Sequence, residues 1–217
     1  MKKLLIITGP QGSGNHLFSR ILSTHADVGG WKSLLEKYWV PSDEEPFAKY
    51  WVYPERLTAQ QFEGKDYWLA NVSCPFFYDG TRYVPKILEV AQQARGFGID
   101  VKIAIITRDM NINAEQQLRV RKEITTPIAQ DYYYNVLFNS DFPIHFLSNE
   151  ALFLHREHYL RYIERIIGFP INHSNPDIFK FLDVDPNAKY VQHVDEYWLD
   201  QQVWHGIQPK SVRGLDK

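Results

Sequence analysis

Gly9, Gly12 and Gly14 lie in the stretch Ile7-Thr8-Gly9-Pro10-Gln11-Gly12-Ser13-Gly14-Asn15-His16-Leu17, between the apolar run Leu4 to Ile7 and a helical pattern. Strand, glycine-rich turn and helix in that order make a phosphate cradle. Glycine takes φ values closed to other residues, several backbone N–H groups turn toward one point, and the helix adds its positive N-terminal end. The spacing from Gly9 to Gly14 fits the start of the pattern G-x-x-x-x-G-K-[ST], but Asn15 and His16 stand where Lys and Ser/Thr belong. Transfer of a γ-phosphoryl group would lack the lysine charge and the magnesium hydroxyl, so the loop predicts phosphate or sulfate binding without ordinary ATP chemistry. His16, in the first helical turn, has an imidazole suited to handling a proton near neutrality. A cap hydrogen-bonded to backbone is its competing reading. Arg108 ends the β-branched run Val101 to Thr107, where a guanidinium suits a phosphate bidentately. The phosphate role is the favoured reading, though an ion pair with Asp109 or Glu150 would explain it too.

The elements that must position these groups follow from periodicity. A helix is expected from about Asn15 to Thr24. Residues 26–65 have poor periodicity, three prolines, the acidic turn Ser42-Asp43-Glu44-Glu45 and many aromatics, and they read as an insertion with short helices over the ligand crevice, a substrate lid. Tyr67 to Val72 reads as the second strand, stopped by Ser73-Cys74-Pro75. Thr81 to Phe97 reads as a crossover helix, and Val101 to Thr107 as a central parallel strand buried on both faces. Asn113 to Lys122 and Ile128 to Phe138 read as helices separated at Pro127, Pro143 to Leu147 as a strand, and Tyr159 to Ile167 as part of a helix stopped at Gly168. A polar, aromatic tail begins at Asn172, with Asp185 to Tyr190 as its most ordered-looking turn. Alternating strands and helices give an α/β fold of three layers, a mostly parallel central sheet with helices on both faces.

The 217 residues suit one domain, 1–217, with the insertion over 26–65 and the tail over 172–217. With 24 Lys and Arg against 26 Asp and Glu, the net charge of -2 does not point to nucleic acid or an anionic membrane, so any basic site must be local. The single cysteine, Cys74, excludes an internal disulfide framework and a multi-cysteine zinc site and suits a reducing cytoplasm. The apolar run after Lys2-Lys3 breaks at Thr8-Gly9-Pro10, short of a signal or membrane-spanning segment. Many of the aromatics, 15% of the chain, lie in polar contexts; most are expected as peripheral core, while those in residues 31–53 fit a hydroxylated acceptor. No paired carboxylates follow a strand, so no metal is expected.

The order of parts resembles the sulfotransferases, P-loop proteins that transfer a sulfuryl group from 3′-phosphoadenosine 5′-phosphosulfate to a hydroxyl or amine. Gly9 to His16 is similar to that family's 5′-phosphosulfate loop, Asn71-Val72-Ser73-Cys74-Pro75 to the strand whose end carries an acceptor-side base, Ile105-Ile106-Thr107-Arg108-Asp109 to the 3′-phosphate element, and Phe146 to Leu152 with Ile167 to Pro170 to the family's later strand-and-helix region. The resemblance spans roughly residues 3–170. It implies a P-loop fold, 3′-phosphoadenosine 5′-phosphosulfate as donor and a small-molecule or carbohydrate acceptor. Gln11, Gly12, Ser13, Gly14, Asn15, His16, Arg108 and Gln116 would then bind the donor, and His16 and Ser73 would handle the acceptor proton. Neither Gln11 nor Gly12 supplies the loop lysine of the family, Ser73 stands where a histidine base would, and Gln116 stands in its serine position. Lys189 in the tail is a candidate for a further phosphate contact, against the plainer reading of a solvated lysine. A P-loop nucleotide or small-molecule kinase with a degenerate loop, and a silent nucleotide-binding relative, are the rival readings.

Overall fold

In the computed structural model the Leu4 to Ile7 run forms the middle of β1 (Lys3–Pro10), and the chain continues through α1 (Asn15–Leu22), β2 (Val28–Gly30), β3 (Tyr67–Cys74), β4 (Phe76–Tyr78), β5 (Thr81–Tyr83), α2 (Ile87–Gly96), β6 (Asp100–Thr107), α3 (Met110–Arg121), α4 (Thr126–Asn135), β7 (Ile144–Ser148), α5 (Asn149–Ile167) and α6 (Pro176–Leu182). The structure describes residues 1–183 other than Tyr38, together with Asp185 and Asn187. Five strands form one sheet in the order β2-β3-β1-β6-β7, and every pair is parallel. With helices on both faces this is the three-layer α/β architecture expected.

Side chains alternate across a strand, so the near-continuous apolar runs of β1, β3 and β6 supply two cores at once. Leu4, Ile6, Ala70, Val72, Ile103 and Ile105 meet α2 and α4 on one face. Leu5, Ile7, Leu69, Ala104 and Ile106 meet α1, α5 and α6 on the other. By the same alternation Asn71 and Ser73 project to the α1 face near the carboxyl end of β3. The tops of β1, β3 and β6 therefore stand together as one rim, with the loop 11–14 leaving it.

Three expectations are corrected. Residues 26–65 hold a short edge strand, β2, followed by 3₁₀ turns. Most of their aromatics are core: Trp31 packs in one cluster and Phe47, Tyr50, Trp51 and Phe62 in the other, all buried, whereas Trp39 is exposed. A segment so deeply packed is not a lid. Thr81 to Tyr83 belong to a hairpin rather than to the crossover helix, because Asp79 and Gly80 both adopt positive φ, 48° and 71°, and make the two-residue turn that pairs Tyr78 with Thr81. Pro127 lies in the first turn of α4, where a missing N–H leaves no helical bond unmade, while α3 stops at Lys122 in the left-handed region.

α5 is broken at Arg156, whose φ of 43° and ψ of -116° interrupt the helix, and it ends at Gly168 with φ 63°. Its C-terminal end is held under the sheet: Lys3 Nζ donates to Gly168 O at 3.0 Å and Lys102 Nζ to Ile167 O at 2.6 Å. Cations suit the negative end of a helix.

Residues Met1–Val184 form one compact unit and Asp185–Lys217 a second. In the latter, Asn187 N donates to Asp185 Oδ1 at 2.8 Å; Lys189 and the rest of the expected turn to Tyr190 lie outside the described residues. No helix among the described residues is long and apolar enough to cross a membrane.

Candidate functional site: the anion loop and a buried histidine–glutamate pair

The loop after β1 is held from behind by three consecutive carbonyls. Gln11 O accepts from Gln117 Nε2 of α3 at 2.6 Å, Gly12 O from Arg108 Nη1 at 2.7 Å, and Ser13 O from Asn149 Nδ2 of α5 at 3.3 Å. In a trans peptide the next N–H points away from the carbonyl. The amides of Gly12, Ser13 and Gly14 are therefore turned to the opposite side of the loop, and of these Ser13 N closes a turn onto Pro10 O at 3.0 Å. Gly12 and Gly14 have φ of 88° and 105°, and a Cβ at Gly12 would lie 2.0 Å from Gln116 Oε1, so glycine is required there by both backbone and space. Gly14 caps α1 with no side-chain hydrogen bond, and the first turn carries no acidic residue. A helix start left in that state, beside inward amides, fits an anion.

The loop side chains are buried and bonded to protein. Gln11 Oε1 accepts from Thr125 Oγ1 at 3.0 Å, and Ser13 Oγ donates to Asn15 Oδ1 at 2.7 Å. Asn15, in the lysine position, turns its Nδ2 toward Val72 O at 3.4 Å and Ser73 Oγ at 3.3 Å. This asparagine braces the loop against the end of β3. Its neutral amide supplies no charge to a phosphate.

Arg108 emerges at the end of β6 and its Nη1 also donates to Gln116 Oε1 at 3.1 Å, so the two residues expected to share an anion do lie together. The carboxylates considered as its ion-pair partners have other bonds. Asp109 caps α3 through the N–H groups of Asn111 and Ile112, and Glu150 accepts from Asp109 N and Ser148 Oγ.

His16 is bonded to a residue from the insertion rather than to Ser73. Its Nε2 lies 3.1 Å from Glu45 Oε1, and its ring is 5.7 Å from that of Trp31. Asn71 Nδ2 donates to both oxygens of Glu45, at 2.9 and 3.0 Å. The carboxylate is buried, whereas the His16 side chain is 32% exposed. A buried carboxylate, an orienting amide and a part-exposed imidazole form the order of parts found in proton-transfer sites.

Burial pushes the Glu45 carboxyl above the usual glutamate range, while hydrogen bonding and charge from His16 and the bond from Asn71 pull it down. A carboxyl raised in the folded state favours folding when protonated. That contribution is present at acid pH and is lost as pH rises through the raised value. The melting temperature of wild type minus that of Glu45→Gln should therefore fall as pH rises from about 4, the ordinary glutamate range. Scanning calorimetry across that range checks it, and a difference that is flat or rises with pH contradicts it.

Sequence reasoning missed Glu45, Asn71, Gln117 and Asn149. Glu45 sat in an acidic run that reads as a solvated turn, although Phe47, two residues on, enters the core. Among the described residues no three His, Cys, Asp or Glu side chains come together as metal ligands.

No protein-family model matches the chain, nor does any curated protein sequence. Among solved structures, mouse sulfotransferase SULT7A1 complexed with PAP is similar over 84% of this chain and 63% of its own length, at 13% identity and a TM-score of 0.45. An unliganded sugar kinase from Janibacter sp. HTCC2649 is similar over 78% of this chain and 94% of its own, at 12% identity and a TM-score of 0.41. The chain thus spans less than two thirds of the sulfotransferase's length.

Proposed function

We propose that this α/β protein is a nucleotide-dependent transferase that binds 3′-phosphoadenosine 5′-phosphosulfate and passes its sulfuryl group to a hydroxylated small molecule or sugar without a metal. The observation that carries the reading is the loop whose three carbonyls are drawn outward by Gln117, Arg108 and Asn149, which turns its amides and the start of α1 toward one side. The donor supplies the sulfuryl group and an anionic leaving phosphate. The Gly12 and Gly14 amides and the α1 N-terminus would hold the 5′ side, and Arg108 with Gln116 the 3′-phosphate. Sulfuryl transfer, by analogy with phosphoryl transfer, asks the protein mainly for positioning, relief of leaving-group charge and a base. His16 is the base we assign, because a carboxylate supports its ring; Ser73 lines the same rim and positions the acceptor hydroxyl.

The kinase reading needs a cation on the β- and γ-phosphates, and Asn15 offers a neutral amide already bonded to β3. Titration calorimetry with adenosine 3′,5′-bisphosphate, AMP, ADP and ATP with Mg²⁺ tests the proposal. The bisphosphate should bind at least about tenfold more tightly than AMP or ADP, a difference of about 1.4 kcal/mol, and a chelator should change nothing. Equal affinity for AMP and bisphosphate removes the 3′-phosphate site, and Mg²⁺-dependent ATP binding restores the kinase.

A further inference from the structure

Glu45 reaches His16 from the insertion over residues 26–65, and its burial has a consequence for the ring. A carboxylate is an acceptor with no proton of its own, and here both oxygens already accept from Asn71, as an ionised group would. Facing it, Nε2 of a neutral imidazole must be the nitrogen that bears hydrogen. Nδ1 is then the ring's only lone pair, on a side chain one third exposed at the start of α1.

We propose that Glu45 is a positioning residue, which fixes His16 with Nε2–H on the buried carboxylate and Nδ1 bare toward the acceptor hydroxyl. This rests on the transferase reading given above. In the step, the acceptor O–H bond breaks and its proton goes to Nδ1. The electron pair left on oxygen forms the bond to sulfur, while the bond from sulfur to the donor's phosphate breaks and that phosphate keeps the pair. The ring becomes an imidazolium whose second N–H already faces Glu45, so the new positive charge forms next to a fixed negative one with no rearrangement. Asn71 keeps Glu45 in place through its two bonds. Its own Oδ1 is buried without a partner, so its amide can turn to meet a glutamine at position 45.

The opposite arrangement is a definite alternative. A protonated Glu45 would donate to Nε2 and leave the hydrogen on Nδ1, useless for accepting a proton there. ¹⁵N-resolved imidazole spectra of the ligand-free protein at mildly alkaline pH distinguish the two, with His16 signals assigned by their loss in His16→Gln. The expected result is a protonated Nε2 and a pyridine-type Nδ1; the reverse pattern overturns the proposal. In turnover, Glu45→Gln should lower kcat at least about tenfold and leave the affinity for adenosine 3′,5′-bisphosphate within about twofold, whereas an unchanged kcat overturns the positioning role. Glu45→Asp, which keeps the charge on a shorter arm, should recover part of the lost kcat. Absence of bisphosphate binding in the wild type would instead sink the transferase reading and leave the spectroscopic result standing.

Discussion

Arg108→Ala is expected to weaken binding of adenosine 3′,5′-bisphosphate by about 2 kcal/mol, roughly thirtyfold, the scale of a lost charge-assisted hydrogen bond. Two causes act together. The substitution removes the positive charge at the top of β6, and it releases Gly12 O, whose bond at 2.7 Å helps turn the loop amides inward. In the empty protein the same substitution gives up the bonds to Gly12 O and Gln116 Oε1, on the order of 1 kcal/mol each. Arg108→Lys restores charge without the planar pair of donors and should recover part of the affinity. Calorimetry and thermal melts on the same variants decide the matter, and unchanged affinity with a lowered melting temperature would falsify the anion role.

Phe47→Ala should cost about 3–5 kcal/mol of stability in the ligand-free protein. Phe47 is 1% exposed and its ring lies 5.9 to 6.3 Å from those of Tyr50, Trp51 and Phe62, so truncation opens a cavity among rigid aromatics that cannot collapse onto it. At about 2–4 °C per kcal/mol for a chain of this size, the melting temperature should drop by roughly 10 °C. Phe47 is two residues from Glu45, so the loss should also loosen the support of His16 and slow turnover. A lid residue would behave differently, leaving the melting temperature of the empty protein near wild type and acting only on acceptor binding. That outcome would restore the lid.

The strands that build the middle of the sheet could be read from sequence because Leu4 to Ile7 and Ile103 to Ile106 are buried on both faces and apolar in every residue. β2 could not: Val28-Gly29-Gly30 has three residues, two of them glycines, and pairs only through backbone. The β4–β5 hairpin did leave a signal, Asp79-Gly80, which the apolar spacing of Val84, Ile87 and Leu88 masked. At the site, the loop glycines, Asn15, His16 and Arg108 were legible by local order. Their partners were not, since Glu45 lies 29 residues from His16 and 26 from Asn71, and Gln117 lies 106 from Gln11. Such contacts exist only once the sheet has assembled, and the polar residues that make them look solvated in isolation.

The break in α5 has a mechanical meaning. Beyond Arg156 the helix is clamped beneath the sheet by Lys3 and Lys102. Ahead of it, one short arm carries Asn149 against Ser13 O and Glu150 against the amide of Asp109. A continuous rod would transmit any tilt at its upper end down its whole length to that clamp. With the i to i+4 ladder cut at Arg156, the arm can pivot through small angles about its own joint while Tyr159, whose hydroxyl takes the Ser148 N–H at 2.7 Å, works as a guy-line on its base. The loop's rear wall is thus a separate piece from the segment bound to Lys3 and Lys102, and a shift of one is not levered rigidly onto the other.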